Sequence, residues 1–354
     1  MHLNFLPTDE QAMLRDSVRR WAANRDVREA GDAVADWAYG AEQGWLMAGL
    51  PEEAGGLGGS DADSAIIAEE LGRALVRAPL VESGMVAAHL LLAVSAERAE
   101  EVAVGGAQPV LAHDEPGMRG HYLALQTSAR EAEGWTLTGR KAGLVGEAST
   151  LLVSAAMPNG GIGLFEVAPE GAPLRRYETI DGRQGSELLL DATAATLLLE
   201  GEAARGALSE AIDRTLVLES AEALGAMEAA FHMTRDYLLT RKQYGQLIGD
   251  FQALRHRLAD MFIELEQARS IIQVGLAGLA SGRVDERARL AAATRARVAQ
   301  AGLFVCGQAI QLHGGIGVTD EYPVGHFYKR IVAFAARHGG DARQVERFAE
   351  FSYS

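Results

Sequence analysis

From Thr8 to about Ala103 apolar residues recur with helical spacing: Leu14, Val18 and Trp21 fall at i, i+4 and i+7, and a second helix runs through Ile66, Ile67, Glu70 and Leu71. The loop between them, LPEEAGGLGGSDAD, is rich in Pro and Gly and ends in Ser60 or Asp61, either of which suits the N-cap of the next helix. From about Gln108 to Glu200 the period shortens. VLA, HYLALQT, GWTLTGR, TLLVSAA, GLFEV and SELLLD read as strands, alternating or wholly apolar, and Pro158, Asn159 and Gly160 supply a turn between two of them. An antiparallel β unit follows from that grammar. From about Leu208 long helices return, with no proline before Pro323. Phe251, Leu254, Leu258, Met261, Leu265, Ala268 and Ile272 form one stripe, and Leu290, Ala291, Thr294 and Val298 a weaker one. Such helices with short connections predict a bundle.

The predicted class is therefore α+β in three units: an N-terminal helical domain over 1–107, a central antiparallel β domain over 108–205 and a C-terminal four-helix bundle over 206–354. A chain of 354 residues, 48% apolar, exceeds what one core usually serves. The formal charge of −15 and pI near 5.1 leave no basic face for nucleic acid or anionic lipid, so an anionic ligand needs a local cluster of arginines. The single Cys306 lies in an apolar helical run, where a buried packing thiol is the expectation. The N-terminus MHLNFLPTDEQ has no basic and apolar leader, and no apolar run looks long enough to span a bilayer, so a cytoplasmic location is expected.

Candidate chemistry concentrates in the last third. TRKQYGQLIGDFQALRHRLADM, from Thr240 to Met261, and QLHGGIGVTDEYPVGHFYKR, from Gln311 to Arg330, together resemble the acyl-CoA dehydrogenase family; EQGWLMAGLPEEAGGLGG and EELGRAL extend the likeness over almost the whole chain. Gly314, Gly315 and Gly317 follow a helical run rather than a strand, so the Rossmann fingerprint does not apply. Taken alone, these glycines suit either a helix end with a tight turn or a close approach of backbone to a ligand.

The resemblance implies the acyl-CoA dehydrogenase fold, FAD as cofactor and α,β-dehydrogenation of an acyl-CoA thioester, as in fatty acid or lipid degradation. In the family the first motif contacts flavin seated in a neighbouring subunit. Matched motif to motif, Arg241 faces the pyrophosphate, Tyr244 and Gln252 accompany it, and Gln311, Gly314 and Gly315 border the adenosine end.

The half that serves the chain's own flavin departs from the pattern. The family's Glu base, in Tyr-Glu-Gly-Thr, falls on His338, and the Thr on Gly340. An imidazole can serve as a base; equally, His338 can be a helix-terminal residue before a capping box formed by Asp341 and Gln344. A minority of the family places its Glu where Thr215 stands here, and Glu219, one turn on, is the carboxylate to consider, as a base or as a solvated or interface residue. Asp213 and Glu222 are weaker candidates. The Trp-x-Thr that covers the flavin ring and serves N5 is replaced at Gly143 and Val145, and Thr-Glu-Pro survives as Asp114, Glu115 and Pro116, followed by GMRG.

What survives serves a neighbour. The pattern resembles the small subunits of bacterial heteromeric acyl-CoA dehydrogenases, of the pimeloyl-CoA dehydrogenase type, which pair with a catalytic partner subunit in a tetramer and pass electrons to electron-transfer flavoprotein. The alternatives are a self-sufficient homotetrameric dehydrogenase using His338 or Glu219, a flavin monooxygenase or oxidase of the same fold, and a structural partner without flavin.

Overall fold

The computed structural model describes residues 7–352 except residues 24, 30 and 119, so the first six residues of the leader argument and Arg119 of GMRG lie outside the described residues. The N-terminal part is helical: α1 (Asp9–Ala22), α2 (Ala33–Glu42), α3 (Asp61–Arg73), α4 (Ala87–Leu92) and α5 (Ala96–Ala103). Val18 of the first apolar stripe is buried. Ser60 is the N-cap of α3, with the Asp63 carboxylate accepting its N–H at 2.7 Å.

Seven strands follow: β1 (Pro109–Ala112), β2 (Ser128–Glu131), β3 (Trp135–Val145), β4 (Thr150–Ala156), β5 (Ile162–Val167), β6 (Leu174–Glu178) and β7 (Gln184–Glu200). Pairings β4–β5, β5–β7, β7–β3, β3–β2 and a single β2–β4 contact close a ring around Leu137, Val153, Phe165 and Leu188. The unit is not wholly antiparallel, because β1 runs parallel to β4. HYLALQT is a loop rather than a strand. The Glu115 carboxylate takes the N–H groups of Gln126 and Thr127, at 2.6 and 2.9 Å, that a ladder would have used. The edge strand β6 carries Arg175, Arg176 and Tyr177 on exposed positions and so shows no apolar alternation.

The change from strand to helix falls between Glu200 and Gly201, where α6 (Gly201–Thr240) begins. A short hairpin of β8 (Lys242–Gln243) and β9 (Gln246–Leu247) leads to α7 (Gln252–Leu279), α8 (Val284–His313), α9 (Val324–Ala336) and α10 (Gly340–Glu350). The bundle is built from α6, α7, α8 and α9, and the final α10 packs along α8. Met261, Leu265, Ala268 and Ile272 are buried on α7, and Ala291, Thr294 and Val298 on α8.

The 40-residue α6 is the common wall of the molecule, in contact with α3, α7, α8 and α9. Against α3 the two backbones touch: a Cβ added at Gly72 would lie 1.8 Å from the Glu222 carbonyl oxygen, and one at Gly225 would lie 1.7 Å from that of Glu69. Contrary to the sequence expectation, one segment among the described residues, Val284–Val318, is long and apolar enough to cross a membrane. Here it is α8 with the turn after it, packed against α6, α7, α9 and α10.

Candidate functional site

A cleft of about 600 Å³, open to solvent, lies where the β unit meets the bundle. The loop after β1 contributes His113 and Asp114, the end of β3 Gly143 to Val145, α6 Ile212 and Thr215, and the turn between α9 and α10 Arg337 and His338. Both positions at which the resemblance seeks a base, His338 and Thr215, therefore face one space, as do the two positions that have lost the ring and the hydroxyl. The Thr215 hydroxyl donates to the Ala211 carbonyl at 2.8 Å.

His338 has φ of 57° and is followed by two glycines that also have positive φ, a sharp reversal that turns the imidazole inward. Its Nε2 lies 3.3 Å from Glu219 and its Nδ1 lies 3.5 Å from Asp114. Burial works against the imidazolium, but Glu219 and Asp114 outweigh it, and the His338 pKa is raised. The Asp114 carboxyl is held at about 2, burial being overcome by its contact with His338.

Glu219 is not solvated and does not line the cleft. It is 2% exposed, behind the cleft wall, 2.6 Å from Arg295 and 2.7 Å from Arg337. Burial alone would raise its pKa; Arg337, His338 and Arg295 hold it well below the usual carboxylate range. The same layer continues through Arg337 to Glu82 at 3.0 Å, Glu82 to Arg183 at 3.1 Å, Arg183 to Asp181 at 2.9 Å, Asp181 to Arg330 at 2.7 Å and Arg330 to Glu222 at 2.5 Å. In this network five carboxylates, counting Asp114, meet four guanidinium groups and the imidazole of His338. Asp213 is likewise engaged, by Arg287 at 2.9 Å and Arg347 at 2.7 Å. The proposed capping box does not form: Gly339 is the N-cap of α10, and the Gln344 amide instead donates to the His338 carbonyl at 2.7 Å and the Tyr122 hydroxyl at 3.0 Å. Cys306 is buried, and desolvation pushes its thiol up to about 12.

The second set of predicted residues gathers at the end of the bundle where α6 stops and α8 stops. Arg241 follows the last residue of α6, Gln252 begins α7, Gln311 lies in the last turn of α8, and Gly314 and Gly315 follow it. Tyr237 of α6 stacks on His313 of α8 at 4.5 Å and joins the two motifs. Arg241, Tyr244, Gln252, Gln311, Gly314 and Gly315 are all exposed, Tyr244 to 93%, with φ of 53°. A Cβ at Gly314 or Gly315 would meet nothing within 4 Å, so both backbones are open to an external group. On α7 and α8 the apolar side chains of Phe262, Ile263, Leu303 and Phe304 are 50%, 53%, 40% and 39% exposed.

These two halves answer differently to a flavin dinucleotide. The exposed half offers a guanidinium fork, an aromatic ring, two amides and bare backbone, which suit a pyrophosphate and an adenosine. The cleft offers aliphatic Val145 and a bare Gly143 where a ring and a hydroxyl would be needed, and its lining carboxylates Glu82 and Asp114 are engaged by Arg337 and His338. Sequence reasoning did not find Arg295, Arg330 or Arg337; the signal was there, in charged residues interrupting the buried faces of apolar helices, as Arg295 does between Thr294 and Val298.

Comparison with known proteins agrees with this architecture. Residues 8–104 match the acyl-CoA dehydrogenase N-terminal domain, and residues 205–352 match the acyl-CoA dehydrogenase C-terminal domain. The acyl-CoA dehydrogenase IpdE2 of Mycobacterium tuberculosis is 28% identical over 348 residues, covering 92% of this chain and 91% of that protein. The solved steroid ACAD Tcur3481–Tcur3483 superposes with a TM-score of 0.87 at 30% identity, over 98% of each chain. The ChsE4–ChsE5 complex from Mycobacterium tuberculosis shares the fold, with a TM-score of 0.87 at 23% identity over 99% of each chain.

Proposed function

The chain belongs to the acyl-CoA dehydrogenase family of oxidoreductases, and within that family we propose that it is the subunit of a mixed tetramer that completes the FAD site of a catalytic partner. Arg241, Tyr244, Gln252, Gln311, Gly314 and Gly315 reach across the subunit boundary to the pyrophosphate and adenosine of the partner's flavin. The partner supplies the base and the surface over the flavin ring. FAD held there would supply the hydride acceptor for the acyl-CoA β-carbon, with electron-transfer flavoprotein as the onward electron acceptor. The single buried Cys306 accords with a reducing cytoplasm.

One observation carries this reading: the motif residues are exposed together at one end of the bundle, while Glu219 of α6 is engaged by Arg295, Arg337 and His338. Two of the relatives, the Tcur3481–Tcur3483 and ChsE4–ChsE5 assemblies, are named as pairs of chains, which supports a mixed partner for this one. A self-sufficient enzyme has one observation in its favour, that His338 lines the cleft beside Thr215. Against it, contact with the Glu219 and Asp114 carboxylates favours the imidazolium, the form that cannot take a proton from an α-carbon.

The test is turnover of acyl-CoA substrates with an artificial acceptor. The chain expressed alone is expected to be inactive, and the chain coexpressed with its partner active. Turnover by the lone chain, abolished by His338→Ala, would establish His338 as the base and overturn the partner-subunit reading.

A further inference from the structure

A dinucleotide touched at its pyrophosphate by Arg241 and at its adenosine by Gly314 and Gly315 needs a fixed span between the end of α6 and the end of α8. The backbone of Arg241 is held from two sides: its N–H donates to the Tyr237 carbonyl and its carbonyl accepts from the Ile248 N–H, both at 2.9 Å. The Tyr237 ring then lies over the His313 ring, 4.5 Å between centroids and 29° between planes. On from there, His313 lies 4.9 Å from the ring of Tyr322, which precedes Pro323, the N-cap of α9. His313 is also the last residue of α8, directly before Gly314, and it forms the floor of the glycine turn: a Cβ added at Gly317 would lie 2.9 Å from the His313 Cβ and 2.8 Å from the Ile310 carbonyl oxygen.

The geometry keeps this imidazole neutral. Nδ1 lies 2.7 Å from the Ala309 carbonyl, which can only accept, so Nδ1 carries the proton. Nε2 is enclosed and has no partner among the described residues, so a second proton there would be a buried donor without an acceptor. Burial accordingly lowers the His313 pKa. At 3% exposure His313 does not itself reach an external group, whereas Arg241, Gly314 and Gly315 are exposed around it. An aliphatic side chain could fill the same space; what a flat ring adds is stacking with Tyr237 and Tyr322 that fixes its orientation.

We infer that the Tyr237–His313–Tyr322 stack is the spacer of the FAD-facing surface, with His313 the positioning residue that sets the distance between Arg241 and the Gly314–Gly315 turn. The inference rests on the reading of that surface as part of the partner's flavin site.

FAD affinity of the purified mixed assembly, read by flavin fluorescence with the substitutions in this chain alone, tests it. Arg241→Ala is the control: an unchanged affinity there removes the flavin reading itself, and the spacer with it. Given a loss in that control, His313→Ala should weaken FAD by about threefold to tenfold, the scale of a lost aromatic pair, and His313→Phe, which restores a flat ring, should recover most of it. A span between two contacts has no meaning once one of them is gone. His313→Ala added to Arg241→Ala should therefore cost nothing further, whereas a general loosening of the bundle would add its full effect. If His313→Ala fails to assemble, Tyr322→Leu at the half-buried outer ring serves instead: it should weaken FAD by about twofold to threefold and likewise add nothing to Arg241→Ala. Wild-type affinity in His313→Ala or, in its place, in Tyr322→Leu would overturn the positioning role while leaving the flavin reading intact. So would equal losses in His313→Phe and His313→Ala, or additive losses in the double variants.

Discussion

Replacing Glu219 by Gln separates an anchoring role from a catalytic one. The carboxylate lies 2.6 Å from Arg295, 2.7 Å from Arg337 and 3.3 Å from His338. Glutamine keeps the shape and one acceptor oxygen, but it turns an NH2 toward a second cation and removes the charge that all three share. Breaking a buried ion pair from one side costs about 3–5 kcal/mol, and because Arg337 keeps Glu82, the lower end of about 3 kcal/mol is expected. With a urea dependence of roughly 3 kcal/mol/M, that loss moves the unfolding midpoint down by about 1 M. The same change removes the strongest influence raising the His338 pKa, so the His338 titration, followed by NMR of the imidazole, should move to lower pH. A midpoint shift below about 0.3 M on that scale, with an unmoved His338 titration, would refute the reasoning. A Glu219 acting as base would show the reverse pattern: activity lost and stability kept.

His338→Gln should make stability less dependent on pH. A raised folded pKa means that the contribution of His338 is fully present below its unfolded value of about 6.5 and is lost as pH rises through the folded value, so the wild-type advantage in thermal melts should be larger at pH 6 than at pH 9. A gap that does not change with pH would contradict a protonated His338. Gly225→Ala places a Cβ where it would sit 1.7 Å from the Glu69 carbonyl oxygen, and forcing α3 from α6 should cost about 1–3 kcal/mol in denaturant unfolding, as overpacking does; an unchanged midpoint would show that the helices separate freely.

Much of the fold was legible because periodicity reports burial. The α7 stripe from Met261 to Ile272 reflects one buried face, the unbroken apolar runs of β4 and β5 reflect burial on both faces, and Ser60 announced the start of α3. The sequence misled where a side chain, rather than a ladder, satisfied the backbone, as Glu115 does for Gln126 and Thr127, and where an edge strand such as β6 buries almost nothing. The site divided in the same way. Gly314, Gly315 and Arg241 are contiguous in their motifs and could be read directly. Glu219, Arg295 and Arg337 come from three separate segments, and their joint role is set by distances of 2.6 and 2.7 Å that no local pattern encodes. For that reason Glu219 reads as a solvated residue in sequence and as a buried anchor in three dimensions.

The most direct measurement is the flavin content of the purified mixed assembly when this chain alone carries Arg241→Ala. Arg241 is exposed at the end of α6 and is proposed to serve only the partner's FAD. Loss of its charge-assisted bond should weaken flavin affinity by roughly 1.5–3 kcal/mol, about tenfold to a hundredfold, and lower the flavin recovered per partner chain after dilution. The wild-type assembly should hold fewer flavins than chains. One flavin for every chain, with occupancy and affinity unchanged by Arg241→Ala, would contradict the account.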